Sequence, residues 1–151
     1  MPKMPPFIRD TDRALIATFR RIDMPFARLA LFVVYFWFGA LKLAGASPAN
    51  VMMGDLLAQT LSSVMFESFV ILFGLYEMLI GILFLIPKKE RLVIALITPH
   101  LTVTLLPLIL LPAMTWRGFL VPTLEGQYII KNLVILALSC SIAAHLRPLR
   151  K

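Results

Sequence analysis

A carboxylate stands inside a long apolar stretch of the chain, flanked by two glycines. Glu77 follows Gly74 by three residues and precedes Gly81 by four, so all three share one helix face. Small residues let a neighbouring helix approach closely, and an ionisable group in a membrane usually faces the interior of a bundle. Glu77 is therefore predicted to point inward. It is either a proton carrier or ligand for a polar head group, or a structural carboxyl that holds helices together.

An imidazole stands in a second apolar stretch that contains two prolines. His100 directly follows Pro99, and Pro107 lies seven residues further on. Proline has no N–H, so each one leaves a helix carbonyl unpaired and favours a kink. Thr104 shares the face of His100. The pattern predicts a proton relay or a hydrogen bond from His100 to a quinone carbonyl; alternatively, Glu77 or a freed carbonyl satisfies the ring.

Two lysines stand near the ends of apolar stretches. Lys42 shares a helix face with Tyr35, and Lys131 lies four residues after Gln127 and next to Asn132. Both ammonium groups can reach the membrane surface along their apolar stems. In the alternative, they form a polar pocket that opens outward together with Gln127 and Glu125, with Glu67 at its rim and Glu77 and His100 as its floor. The candidate ligand-binding residues are Lys42, Lys131, Thr104, Gln127, Tyr35 and Asn132.

Four apolar segments must position these groups. The 151 residues are 60% hydrophobic and 15% charged, with a mean hydropathy of +0.87, which exceeds the apolar share of soluble domains. A spanning helix needs about 20 mainly apolar residues. The segments that qualify are about 25–43, 66–86, 92–111 and 128–146. The sequence predicts an all-α integral membrane four-helix bundle that forms one domain.

The basic residues predict the orientation of the bundle. Twelve of the 15 lysines and arginines precede or open the first segment, lie between the second and third, or follow the fourth. Basic residues concentrate on the cytoplasmic side, so both termini and the 88–91 connection are predicted to be cytoplasmic. The net charge of +7 is thus assigned to anionic lipid and not to nucleic acid.

Three further segments are predicted outside the spans. Residues 1–24 carry an apolar face at helical spacing among arginines, which predicts an amphipathic helix on the cytoplasmic membrane surface or a docking helix for a soluble partner. Ser47 and Pro48 predict the start of a short outer interfacial helix that runs to about Thr60. Residues 147–151 form a basic cytoplasmic tail.

Metal, haem and flavin chemistry are not expected from this chain alone. Cys140 is the single cysteine, so a disulfide, a CxxC redox pair and a thiolate cluster are excluded within the chain. The two histidines, His100 and His145, lie at different predicted depths and cannot ligate one haem together. No flavin fingerprint is present.

Short motifs in three of the segments resemble those of the DoxX-like family of small four-helix membrane proteins. They are Trp37-Phe-Gly-Ala-Leu-Lys42, Gly74-Leu-Tyr-Glu77-Met-Leu-Ile-Gly81 and Gly126-Gln-Tyr-Ile-Ile-Lys131-Asn132-Leu. The family is related to the DoxD subunit of thiosulfate:quinone oxidoreductase. The resemblance implies a four-helix membrane bundle and a link to the quinone pool.

These observations predict a quinone-interacting subunit of a membrane redox complex in a bacterial inner membrane, with Glu77 and His100 as its catalytic residues. A protein partner would supply the electron donor, or the chain would assemble with copies of itself. A non-catalytic membrane scaffold or assembly factor is the alternative. A small-molecule transporter ranks last because no internal repeat is visible.

Overall fold

The computed structural model describes residues 5–60 and 65–146, and the predicted basic tail 147–151 lies outside this part. Apart from turns and short loops, the described chain consists of helices and one two-stranded antiparallel hairpin. In chain order, the elements are α1 (Pro6–Leu43), α2 (Asn50–Thr60), α3 (Phe66–Leu85), α4 (Glu90–Leu105), α5 (Pro107–Leu110), α6 (Pro112–Thr115), β1 (Trp116–Gly118), β2 (Val121–Pro122), α7 (Leu124–Ile130) and α8 (Asn132–Ala144).

Within residues 5–60 and 65–146, four helices are long and apolar enough to cross a membrane. They are Pro6–Leu43, Phe66–Leu85, Glu90–Leu110 and Leu124–Ala144. At most a third of the residues in their most apolar windows are buried inside the protein, so large apolar side chains cover the outer surface. Such a surface suits lipid and not water. The fold is that of an all-α multi-pass membrane bundle, as the apolar segments predict.

The first span differs from the predicted arrangement. The sequence predicts an amphipathic segment up to residue 24 and a span from residue 25, whereas α1 is one continuous helix of 38 residues with Pro25 inside it. Residues 5–23 are exposed throughout and project beyond the bundle. A proline removes one helical hydrogen bond, and at this exposed position water can satisfy the carbonyl that is left free.

The third and fourth spans are each built from two helical pieces. α4 continues through Pro99, and the break comes before Pro107, where α5 begins. The fourth span begins at Leu124, four residues before the predicted start, because the hydroxyl of Thr123 accepts a 3.1 Å hydrogen bond from the amide of Gly126 and caps α7. The short helix predicted from Pro48 to about Thr60 is α2, which begins at Asn50.

Close packing of α1 against α3 holds the bundle together. A Cβ atom on Gly39 would lie 2.5 Å from the carbonyl oxygen of Gly74, and one on Gly74 would lie 2.9 Å from the carbonyl oxygen of Gly39. Further along, a Cβ on Gly81 would lie 2.9 Å from the backbone nitrogen of Phe36. Only glycine permits this backbone approach. The predicted small-residue face of Glu77 is therefore the α1 contact face.

The end of the bundle at the α3–α4 turn is closed by apolar layers and an ion pair. Arg28 of α1 donates to the carboxylate of Glu90 at the start of α4. Between this pair and the middle of the bundle lies a buried apolar core, and its members include Leu31, Ile80 and Ile97, each at most 2% exposed. This core separates the polar groups in the middle of the bundle from the α3–α4 turn.

Candidate functional site

Four of the predicted site residues meet in the interior of the bundle. The Nζ of Lys42 lies 2.6 Å from Oε2 of Glu77, and Nε2 of His100 lies 3.0 Å from Oε1 of the same carboxylate. The hydroxyl of Tyr35 lies 3.4 Å from Nδ1 of His100. All four residues are 3–7% exposed. We call Tyr35, Lys42, Glu77 and His100 the polar cluster.

The cluster lies near the middle of the spans. Glu77 is eleven residues into α3, and His100 lies ten residues after the start of the third span and ten before its end. At a rise of about 1.5 Å per residue, each group is roughly 15 Å from the ends of its span. Glu77 is predicted from the sequence to point into the bundle, and both Glu77 and His100 are buried there.

Lys42 joins the cluster although it occupies the last turn of α1. Helix Cα–Cβ bonds tilt toward the N-terminus, so a lysine at the C-terminal end of a span directs its side chain back into the bundle. The ammonium group then meets Glu77 and does not extend to the membrane surface. In the structure Lys42 is therefore buried and paired with Glu77 and does not reach the surface.

The hydrogen bonds fix one self-consistent proton arrangement. If Nε2–H of His100 donates to Glu77, its Nδ1 is left to accept from the hydroxyl of Tyr35; this tautomer is assigned from the hydrogen-bond partners. Lys42 donates to the other carboxylate oxygen. Glu77 thus accepts from a cation on one side and from an imidazole on the other. The arrangement is a continuous hydrogen-bonded path from Tyr35 to Lys42.

Aromatic rings enclose the imidazole. Phe73 stacks on His100 with the ring centroids 5.0 Å apart, and Tyr35 meets its edge at the same distance. The Nζ of Lys42 lies 5.6 Å from the centroid of Phe73, within the range of a cation–π interaction. The sequence analysis did not single out Phe73. Its position four residues before Glu77 was the available signal, because i and i+4 share a helix face.

Thr104 contacts the cluster only through the backbone. Its hydroxyl donates to the carbonyl oxygen of His100 at 2.8 Å, one helical turn earlier. This is the common way for a helical threonine to satisfy its hydroxyl. Tyr76, which was not predicted as a site residue, donates in the same region to the carbonyl oxygen of Leu96 at 2.5 Å.

The candidates from the fourth span do not join the cluster. Lys131 is exposed, and its Nζ lies 4.9 Å from the ring centroid of Tyr128. Gln127 is also exposed and Asn132 is half-buried. Within the described ranges, no hydrogen bond or ion pair connects these three residues to Glu77 or His100. The surface-reaching alternative for Lys131 fits its exposed position, and the structure does not bring Lys131 together with Lys42 into the predicted polar pocket.

An open groove of about 540 Å³ lies elsewhere, between α2 and the α5–α6 break. Asp55 and Gln59 supply its polar edge, and apolar side chains between residues 110 and 114 supply its wall. No member of the polar cluster lines it. The groove and the cluster are therefore separate features of the fold.

The cluster has the composition of a proton-exchange site. It combines one cation, one carboxylate and one imidazole, and the imidazole can hold a proton at either nitrogen. Lys42 and Glu77 offset each other in charge, so a proton gained by the cluster adds a single positive charge in an apolar interior. A molecule close to the cluster that takes up electrons becomes negatively charged. Its charge would favour transfer of the proton from the cluster to that molecule.

No family model, curated protein or solved structure matches the chain. The resemblance to DoxX-like proteins stays a prediction from the three motifs. The residues of those motifs have defined positions in the fold: Gly39 and Gly74 meet at the α1–α3 contact, Lys42 and Glu77 form the ion pair, and Lys131 lies on the surface.

Proposed function

We propose that this chain is a quinone-interacting subunit of a membrane redox complex, as its resemblance to DoxX-like proteins implies. Glu77 and His100 exchange protons with the quinone head group, and a protein partner supplies the electrons. The observation that carries the proposal is the bridging position of Glu77, which accepts from Lys42 and His100 in the bundle interior. Intramembrane ionisable groups with such partners often mark proton relays.

The chemistry requires protons and electrons together. A quinone that takes two electrons and two protons becomes a quinol, and in this proposal the electrons come from the protein partner. His100 can donate the two protons in turn, each time regaining one from water by way of Glu77, while Lys42 holds the carboxylate in place. The basic residues support a bacterial inner membrane with both termini in the cytoplasm.

The test is copurification of the quinone with the protein after mild extraction from its native membrane. We expect a quinone with the wild-type protein and its loss in Glu77→Gln, which keeps the shape but removes the negative charge that pairs with Lys42. Glu67→Gln is the matched control because Glu67 is exposed on the same helix. Equal quinone content in wild type and Glu77→Gln would exclude the proton role of Glu77.

A scaffold or assembly factor is the second candidate. Among the described residues, the one buried side-chain polar atom without a hydrogen-bond partner is Oδ1 of Asn50, which lies outside the cluster. Fully partnered buried networks rigidify a fold and specify its packing, and the open groove lies away from the cluster. Both observations suit a structural role.

The two candidate functions predict different results for a variant whose polar cluster has lost both charged side chains. In the double variant Lys42→Met with Glu77→Leu, both buried charges are removed together, so no unpaired charge remains. A scaffold that still folds should still assemble with its partner, and native gel electrophoresis of the extracted complex measures this. A quinone-linked subunit should assemble and yet lose quinone-dependent electron transfer.

A further inference from the structure

An apolar stripe with a seven-residue repeat runs along α1. One set of positions is occupied every seven residues by Ile8, Leu15, Ile22 and Leu29, and a second set, four residues later, by Phe19, Phe26 and Val33. These seven side chains are 44–67% exposed. The repeat is that of the d and a positions of a coiled coil, sustained over about four heptads. Asp12 occupies the remaining a position.

The stripe lies on the side of α1 that faces away from the bundle. The buried residues of α1 are Ala27, Leu31, Tyr35, Gly39 and Lys42. At about 100° per residue they fall on the side of the helix roughly opposite the stripe. The stripe is thus a second packing surface, independent of the contact with α3 and of the polar cluster.

Lipid can cover only part of this stripe. α1 is 38 residues long, or about 57 Å, while the hydrocarbon core of a bilayer is about 30 Å thick. The stripe from Ile8 to Ile22 belongs to the exposed part that projects beyond the bundle. Ile16, at the neighbouring e position, is also exposed and widens the apolar face of this part, but α1 continues through it as one helix and the 3.5-residue period of the d and a positions carries on into the span. A seam with this period is the form that packs against another helix.

The residues beside the stripe fit a parallel partner of the same sequence. In the heptad that places Ile8 at d, the g positions before Pro25 are Thr11 and Thr18, so no like charges face each other across g and e'. The arginines Arg13 and Arg20 fall at b, away from the seam. All copies of one chain insert into a membrane in one orientation, so two α1 helices are necessarily parallel. Identical residues then face each other across a two-fold axis.

We propose that α1 pairs with α1 of a second copy of this chain through the heptad stripe, in a parallel coiled coil that extends from the membrane into the cytoplasmic space. The seam begins at Ile8 and ends at Val33. Asp12 brings two carboxylates together near the free end of the coiled coil. A polar residue at one a position lowers stability and fixes register, so Asp12 weakens the pair and sets its alignment.

Cysteine cross-linking in native membranes tests the proposal directly. In a Cys140→Ser background, Leu15→Cys and Ile22→Cys place a thiol at d, and Ala17→Cys places one at f on the same exposed helix. We expect oxidation to give disulfide-linked dimers of the two d variants and monomers of Ala17→Cys. Equal dimer yields at Ala17 and Leu15 would overturn the proposal, as would cross-linking of the d variants to a different protein alone.

A second measurement uses the equilibrium between monomer and dimer. Single-molecule photobleaching in lipid vesicles, at several ratios of protein to lipid, reports the dimer fraction. We expect Phe19→Glu to shift the protein to monomers, Asp12→Leu to raise the dimer fraction, and the f-position control Ala17→Glu to leave it unchanged. All three positions lie outside the bundle, so folding of the bundle is preserved. A wild-type protein that is monomeric at every ratio, or a dimer that Phe19→Glu leaves intact, would overturn the pairing.

Discussion

The Nζ atom of Lys42 lies 2.6 Å from Oε2 of Glu77, although Lys42 is in the last turn of its helix and Glu77 in the middle of another. The two side chains are 6% and 7% exposed. A buried pair repays the cost of leaving water only through its geometry and additional hydrogen bonds. Here His100 supplies the additional bond to the second carboxylate oxygen.

Removal of one partner of this pair should cost more than removal of both. Glu77→Gln leaves the ammonium group of Lys42 buried without its counter-charge, and we expect a loss of about 3–5 kcal/mol in the free energy of unfolding. The double variant Lys42→Met with Glu77→Leu should lose less. Unfolding in mixed micelles of detergent and SDS measures both, with Glu67→Gln as a control near zero. A double variant that is less stable than Glu77→Gln would contradict this reading of the pair.

Single residues of the cluster could be predicted from the sequence, but their connection could not. The position of Glu77 between glycines and that of His100 beside a proline mark both as interior residues. The pairing of Lys42 with Glu77 depends on the depth at which α1 and α3 pack, which is set by the contact between Gly39 and Gly74. The sequence marks the glycines but not which of them meet.

The positions at which the helices begin and end could likewise be predicted only in part from the sequence. The apolar stretches predict four spans, and four are found. The first span is predicted to begin at about residue 25, where the apolar stretch begins, yet α1 runs through Pro25 as one helix. Before Pro107 the helix is interrupted, since Pro107 has no N–H for the carbonyl of Val103, which accepts from the amide of Leu106 at 3.2 Å instead. Local propensity does not distinguish these outcomes, because the neighbouring elements decide them.

The glycine contact between α1 and α3 should tolerate no added methyl group. In Gly39→Ala, the new Cβ would lie 2.5 Å from the carbonyl oxygen of Gly74, so the helices must separate. We expect a loss of about 1–3 kcal/mol or more, together with weaker pairing of Lys42 and Glu77. Gly54→Ala is the matched control, since its Cβ would meet only the ring of Phe66, at 3.7 Å. It should gain about 0.5–1 kcal/mol from helix propensity. Thermal unfolding in detergent measures the stability of both variants. Equal stabilities would exclude a tight backbone contact between Gly39 and Gly74.

The ion pair between Arg28 and Glu90 should give a measurable coupling energy at the α3–α4 end of the bundle. The two side chains are 23% and 14% exposed, so solvent screens them only in part. A double-mutant cycle with Arg28→Met and Glu90→Gln should give a coupling energy of about 1–3 kcal/mol. The same cycle on Arg13 and Asp10, which are 3.9 Å apart and about two-thirds exposed, should give less than about 1 kcal/mol. If the two cycles give the same value, burial of the Arg28 pair has no energetic consequence.

The tip of the β-hairpin contains a leucine in a backbone conformation that favours glycine. Leu120 has φ 56° and is 73% exposed, and Phe119 beside it is 93% exposed. A left-handed conformation costs a residue with a Cβ roughly 1–2 kcal/mol, and an exposed leucine recovers little of this by packing. Leu120→Gly should therefore raise the free energy of unfolding by up to about 1 kcal/mol, as measured by thermal unfolding in detergent. Phe119→Gly is the control and should give no gain, because Phe119 does not have a positive φ. A loss of stability in Leu120→Gly would instead mean that the leucine side chain contacts the surrounding amphiphile, and that this contact outweighs the backbone strain.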